Sequence, residues 1–402
     1  MKKWSKIFII SLCTLLIAGV GTYSLLNPNR NIKFGKMEYQ GGTGPVTYHV
    51  PAEFEKQQSI WLEWPSEVYS ESSRPVIPAM ISMIKSLDPY IRVNIMARDI
   101  DEILQIKNIL KDNGYKGTNA HFYNINHLSI WTRDVGPIFL KGSNGKLAVA
   151  DFGFNNYGRD GSQYYINVES QVDKLTAQYL KLPVIQSKLI SEGGAMEANG
   201  KGTLMLVEAV AFNRNPGMSR QQIESEYKRV LGVKKVIWLK KGLAEDDAIT
   251  TGHINEIARF SDPNTILLAQ ILPGDRYANS YSQESYLRLE ENYNILKNST
   301  DQDGKAFKII RIPMPPTLYQ EANNSGGSIP VRSYLNYAVT NGAVLIPNYW
   351  HDGRSNNLKT AEAQVNKTFQ NIFPGRKIIA IDAENINKWG GGIHCITQHM
   401  PA

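Results

Sequence analysis

Near its end the chain reads Trp389-Gly390-Gly391-Gly392-Ile393-His394-Cys395-Ile396-Thr397, three glycines just ahead of a thiol. A cysteine thiolate is a strong nucleophile, and glycine lets a ligand or a main chain approach where a side chain would block it. A planar ligand lying against the backbone at Gly391 and Gly392, beside Cys395, is the chemical reading of this stretch. A tight turn before a terminal buried strand is the bland one. His394 is a poor base for the thiol, since neighbours on a strand point to opposite faces. The base must come from elsewhere, and His253, in Thr251-Gly252-His253-Ile254-Asn255-Glu256, is the clearest distant candidate. Alternation along an extended segment puts Asn255 on the face of His253 and Glu256 on the other. Two more stretches set acids among turn residues: Trp131-Thr132-Arg133-Asp134-Val135-Gly136-Pro137 and Ser191-Glu192-Gly193-Gly194. Taken singly, Asp134 could be the ion-pair partner of Arg133, and Glu192 a helix or turn terminus.

Together these residues fit one chemistry. Hydrolysing a guanidinium needs carboxylates to hold a planar delocalised cation in bidentate fashion, a thiolate to attack its central carbon, and an acid/base to protonate the departing ammonia.

The rest of the sequence bounds this reading. The chain has 402 residues, 42% hydrophobic and 20% charged, enough to bury a large core in one sizeable domain or two smaller ones. Its net charge of +7 is concentrated at the start: taking Lys2, Lys3, Lys6 and Arg30 from it leaves +3 for the rest. No basic run with interleaved aromatics follows, which argues against a nucleic-acid partner. The opening Met1-Lys2-Lys3-Trp4-Ser5-Lys6 precedes an apolar run of about 20 residues, built to enter a membrane as a signal peptide or as an anchor with its basic end inside. Residues 1–30 are therefore expected to be leader, 31–44 linker, and 45–402 a catalytic body exported or held outside the cytoplasmic membrane, touching the membrane through the leader only. Cys13 belongs to the leader, so the body carries one thiol, Cys395. A lone thiol in an oxidising compartment is a liability unless it is used.

The elements that must position these groups alternate short apolar runs with amphipathic stretches. Strands are expected at Ser59–Trp64, Val93–Met96, Leu147–Phe152, Leu204–Val210, Lys235–Leu239, Thr265–Ile271, Lys308–Arg311, Ala343–Pro347 and Lys377–Asp382. Helices are expected at Val76–Lys85, Ile100–Asn113, Gln221–Leu231 and Ala361–Phe373. This rhythm is that of an α/β body without a clean internal boundary.

The blocks WTRDVGP, EGGAMEANGKGTLML, NRNPGMSRQQIE, GHINEIARF and GGGIHCITQHMP resemble, in that order and over about 270 residues, those of the agmatine deiminase and bacterial peptidylarginine deiminase family. VPAEFEKQQSIWLEWP resembles the family's opening. The resemblance implies a five-bladed ββαβ propeller with pseudo-fivefold arrangement, no metal and no cofactor. It implies Cys395 as nucleophile, His253 as general acid/base, Glu192 as the carboxylate beside the histidine, and Asp134 as a carboxylate on the guanidinium. Trp131, Asn255, Gly391 and Gly392 would complete the substrate site, with a covalent thiouronium intermediate. One departure stands out: the family usually has Asp where this chain has Asn255, which trades a charge-assisted contact for a neutral one.

Other functions stay open at this point. A guanidine-binding protein with little turnover would keep the same residues. His253, His394, Cys395 and His399 as zinc ligands match no standard spacing. A papain-like protease would carry its thiol near the start of the body. Agmatine is favoured by the Asn-Pro pair in NRNPGMSRQQIE. An exported peptidylarginine deiminase is favoured by the leader, but the stretch expected to grip a C-terminal carboxylate has one arginine, Arg159. The oligomeric state is not legible.

Overall fold

In the computed structural model, which describes residues 46–316 and 329–402, the strands fall into five separate sheets. The expected leader and linker, with Cys13, lie outside the described residues. Among the described residues no helix is long and apolar enough to cross a membrane.

The five sheets repeat one plan. A short first strand runs antiparallel to a middle strand, and a helical crossover returns the chain to a third strand parallel to the middle one. Ile138–Gly142, Leu147–Gly153 and Val184–Ile190 form one such set. Met196–Ala198, Thr203–Val207 and Lys235–Leu239 form the next. Ala258–Asp262, Thr265–Gln270 and Lys308–Pro313 follow, then Ala338–Val339, Ala343–Asn348 and Lys377–Asp382. The last set joins the two ends of the body: the C-terminal strand Gln398–Pro401 pairs antiparallel with Gln57–Glu63, which pairs in parallel with Arg92–Ala97. Parallel neighbours require a crossover, and helices supply it, for example Arg220–Leu231, Ser282–Lys297 and Asn356–Ile372.

Burial explains the middle strands. Thr203–Val207 is buried at every position and reads as a continuous apolar run, as a strand covered on both faces must. The expected strand Leu204–Val210 is corrected accordingly: it stops at Val207, and Glu208–Arg214 is a helix. Val210 and Ala211 are apolar because that helix buries them, so the run of apolar letters crosses an element boundary. The helix expected at Ala361–Phe373 begins earlier, at Asn356, where the Ser355 hydroxyl accepts from the Asn357 N–H and caps it.

The plan also places the site. In each of the five sets, the loop just before the first strand carries a residue singled out for chemistry or touching one. Asp134 precedes Ile138, Glu192 precedes Met196, His253 precedes Ala258, Asn336 precedes Ala338, and Cys395 precedes Gln398.

Candidate active site

Cys395 lies in the turn 393–396, not on a strand; the terminal strand begins at Gln398. The face-alternation argument for His394 therefore does not apply, though its outcome does. Neutral His394 accepts the Asn255 Nδ2–H at Nδ1, 3.0 Å, and faces Glu53 with Nε2, 2.9 Å. Burial, with Arg133 and Arg259 nearby, holds its pKa well below the usual histidine range.

The Cys395 Sγ is 5% exposed at the residue level and sits among three side chains. Asn336 Nδ2 is 3.1 Å away, Asn255 Nδ2 3.4 Å, and Glu256 Oε1 3.9 Å. Asn255 and Glu256 both reach it because Ile254–Glu256 is a 3-10 turn rather than an extended segment. At about three residues per turn, neighbours do not fall on opposite faces. Glu256, placed on the other face by strand alternation, is thus corrected to a contact of the thiol. Burial, then Glu256 and Asp134, push the thiol pKa up.

The glycines before the thiol are close-approach positions. A Cβ on Gly391 would lie 2.6 Å from Trp131 Cζ3 and 3.1 Å from the Cys395 Cβ. One on Gly392 would lie 2.5 Å from Asn336 Oδ1. The space beside Cys395 is therefore shaped by the Trp131 ring and the Asn336 amide.

Asp134 is not the partner of Arg133. Its Oδ1 accepts the Gly194 N–H at 3.0 Å and its Oδ2 the Tyr157 hydroxyl at 3.0 Å. Arg133 turns instead to Glu53, 2.5 Å, while its own N–H donates to the Cys395 carbonyl, 3.0 Å, tying the two loops together. Glu192 is likewise more than a turn terminus. Its Oε1 takes Arg214 Nε at 2.7 Å, and its Oε2 lies 3.4 Å from His253 Nε2. The other ring nitrogen of His253, Nδ1, is 3.8 Å from Asp134 Oδ1. Left-handed Thr251 and Gly252 deliver the histidine, with Gly252 at φ 96° against the backbone of Gly242. The Asp246 carboxylate accepts the His253 N–H at 2.9 Å.

These contacts set the charges. Burial alone would depress the His253 pKa, but Asp134, Glu192 and Asp246 outweigh it and raise it. Burial also opposes ionisation of Glu192, yet Arg214 and His253 overcome it and hold that carboxyl below its ordinary value. Asp134 is shifted up, chiefly by burial. The result is a protonatable imidazole between two carboxyls and a buried sulfur met by two amide N–H donors, from Asn336 and Asn255, and by one carboxyl, that of Glu256, an arrangement suited to a planar cation and to proton delivery.

Arg214, Asp246, Asn336 and Glu256 escaped sequence reasoning. The signal that could have found Asn336 is positional: it occupies the loop before a first strand, as the other site residues do.

Among the described residues, Glu53, His394 and His399 place metal-capable atoms within 4.8 Å of one another. Arg133 and Arg259 already occupy Glu53, each at 2.5 Å, and Arg133 Nη2 reaches His399 Nδ1 at 2.9 Å. Two guanidiniums in that position do not fit a metal cation. Nor does His253 join the group.

The profile of the Porphyromonas-type peptidyl-arginine deiminase family matches residues 49–401. The chain belongs to this family. A “Putative agmatine deiminase” of Latilactobacillus sakei subsp. sakei is 30% identical over 375 residues, covering 88% of this chain and 96% of that protein. The agmatine deiminase of Medicago truncatula is 27% identical over 383 residues, 88% of this chain and 96% of that protein. The solved agmatine deiminase of Enterococcus faecalis shares the fold, with a TM-score of 0.74 at 24% identity over 88% of this chain and 96% of that one. As a member of the deiminase family the chain is a hydrolase of carbon–nitrogen bonds.

Proposed function

We propose that this enzyme converts agmatine to N-carbamoylputrescine and ammonia through a covalent intermediate on Cys395. The observation that carries the reading is the buried Cys395 thiol, lined by Asn255, Glu256 and Asn336 and joined through Arg133 to the loop bearing Asp134. Burial, with Glu256 and Asp134, keeps the thiol protonated at rest. The substrate cation, held by Asp134, offsets that negative charge, so its arrival favours the thiolate and the thiol proton is released to solvent. Sγ bonds to the guanidinium carbon, and ammonia leaves with a proton from His253. Water, deprotonated by His253, then adds to the thiouronium carbon. The carbon–sulfur bond breaks as the new hydroxyl gives up its proton to the departing sulfur, returning the cysteine thiol, leaving His253 protonated for the next turnover and releasing the neutral ureido product. The five sheets serve as five propeller blades, with the pre-strand loops at their centre. The basic start and apolar run carry this body outside the cytoplasmic membrane.

A second reading rests on Arg159. Its guanidinium lies 5.2 Å from the centre of the Tyr157 ring, and Tyr157 donates to Asp134. A cation so close to the site suits a carboxylate-bearing substrate, and the product would be citrulline in a peptide. Ammonia release measured against agmatine, free arginine and peptides with terminal or internal arginine decides. Turnover of agmatine alone supports the proposal, turnover of peptides alone replaces it with the second reading, and binding without turnover of any guanidine makes the chain an impaired, binding-type member.

A further inference from the structure

The two residues that touch the Cys395 sulfur from the 3-10 turn each leave an oxygen without a donor. Glu256 gives Oε1 to the Asn336 amide and approaches Sγ with the same atom, at 3.9 Å. Its Oε2 is buried with no hydrogen-bond partner. Asn255 spends Nδ2 on His394 and on Sγ, and its Oδ1 is likewise buried and unpartnered. Glu256 is 3% exposed and Asn255 fully buried, so water does not serve these atoms freely. Buried acceptors without donors are costly, and the cost falls away when a ligand supplies the missing N–H groups. A guanidinium carries five or six N–H donors in one plane and no acceptor. Among the described residues no Lys, Arg or His nitrogen forms an ion pair with Glu256, and its Oε2 has no partner, so a cationic ligand meets no competitor there.

We propose that Glu256 is the carboxylate that clamps the substrate guanidinium on the thiol side of the site, supplying the charge that Asn255 lacks, with Oε2 accepting an N–H of the cation. The inference rests on the guanidine-hydrolase reading above and assigns a residue to it. Asp134 and Glu256 then hold the cation from two loops that precede two different sheets, with Sγ beside its central carbon.

The surroundings add a measurable consequence. Asp246 and Glu245 face Glu256 with negative charge, Arg259 with positive charge, and Asn336 donates to it, while Cys395 and Tyr349 lie within its field. Burial, with Asp246, favours its protonated form at rest. A guanidinium displaces that proton, so binding is accompanied by proton release.

The test uses full-length protein carrying Cys395→Ser, which removes turnover and the thiol proton, titrated with agmatine by calorimetry in buffers of different ionisation enthalpy. Protons are released on binding to this background. Adding Glu256→Gln removes the release and weakens binding by about tenfold or more. Adding Asn255→Asp to that variant moves the charge back by one residue and restores the affinity. If Glu256→Gln does not fold, Glu256→Asp, which keeps the charge but withdraws it, must show the same loss of affinity. Unchanged affinity in Glu256→Gln or Glu256→Asp, or no recovery in the folded double variant, overturns the clamp. So does a fall in kcat at unchanged affinity when Glu256→Gln is made with Cys395 intact, which would make Glu256 a proton acceptor for the thiol. A background protein that binds no guanidine at all, with a wild type that turns none over, overturns the functional reading itself and is thereby distinguished.

Discussion

Arg214 and Glu192 form an ion pair at 2.7 Å with both side chains out of solvent, at 1% and 0% exposure. Arg214 also donates to the Thr250 carbonyl at 2.7 Å and to the Thr251 hydroxyl at 3.1 Å, in the loop that delivers His253. One guanidinium therefore positions both the carboxylate and the imidazole it serves. Removing one partner of a buried pair strands the other, at a cost of about 3–5 kcal/mol. Arg214→Met is expected to lose stability on that scale in urea unfolding. A variant as stable as wild type would show that Glu192 finds another cation.

Glu192→Gln tests the charge on the histidine. Glu192 is one of the groups that raise the His253 pKa against burial, so its loss lets that pKa fall. If protonated His253 delivers the proton to ammonia, activity is lost at lower pH: the alkaline limb of the kcat profile moves down. A limb that stays in place would remove His253 from the leaving-group step.

Cys395→Ser is expected to abolish turnover of every guanidine while the protein keeps its thermal transition, because serine is nearly isosteric and far less nucleophilic at neutral pH. A haloacetamidine, whose amidine mimics the substrate cation, should add its mass to Cys395, and agmatine should block the labelling. Full activity in the serine variant would end the covalent mechanism.

Stability should depend on pH through Glu63. Its Oε1 is buried without a partner, and its Oε2 shares the Ser129 hydroxyl, 3.2 Å away, with Glu169, which is closer at 2.7 Å. Burial, with Glu169 beside it, raises the Glu63 pKa well above the usual carboxylate value. The folded state then binds this proton more tightly than the unfolded state. The contribution is complete below the unfolded pKa and is lost as pH rises through the folded one. Glu63→Gln is neutral throughout, so its melting temperature should gain on wild type over the pH range that begins at the ordinary glutamate pKa of about 4.3 and runs upward to the raised pKa of the folded state. An unchanged difference across that range would mean Glu63 is ionised in the folded protein.

The parts of the site that could be read from sequence are those that glycines mark. Gly194, Gly252, Gly391 and Gly392 stand beside Glu192, His253 and Cys395 because main chain and side chains crowd there. Asn336 and Arg214 carry no such mark; ordinary polar letters become site residues only when the five sheets bring their loops together. Glu256 was misplaced because alternation holds on a strand and fails in a 3-10 turn. In the fold, buried middle strands such as Thr203–Val207 announce themselves as apolar runs, whereas Val184–Ile190, half exposed along its length, does not. First strands such as Met196–Ala198 are too short to show a period.

Gly194 offers the sharpest geometric test. Its N–H holds Asp134, and the position a Cβ would take lies 2.5 Å from His253 Nδ1 and 2.7 Å from Asp134 Oδ1, closer than real Cβ atoms come to their neighbours. A methyl group there must separate the imidazole from the carboxyl or push one of them off its other partner, His253 from Glu192 or Asp134 from Tyr157. The atoms that must move are ends of side chains, so the fold survives. Alignment does not, and a misplacement of about 1 Å in a reacting group costs about a hundredfold in rate. Gly194→Ala is therefore expected to lose about two orders of magnitude in kcat with a thermal transition close to wild type. Gly274, whose Cβ would meet nothing within 4 Å, is the matched control, and Gly274→Ala should keep full activity. If Gly194→Ala turns over substrate at the wild-type rate, His253 and Asp134 do not act as a fixed pair, and the assignment of the acid/base to this imidazole fails with it.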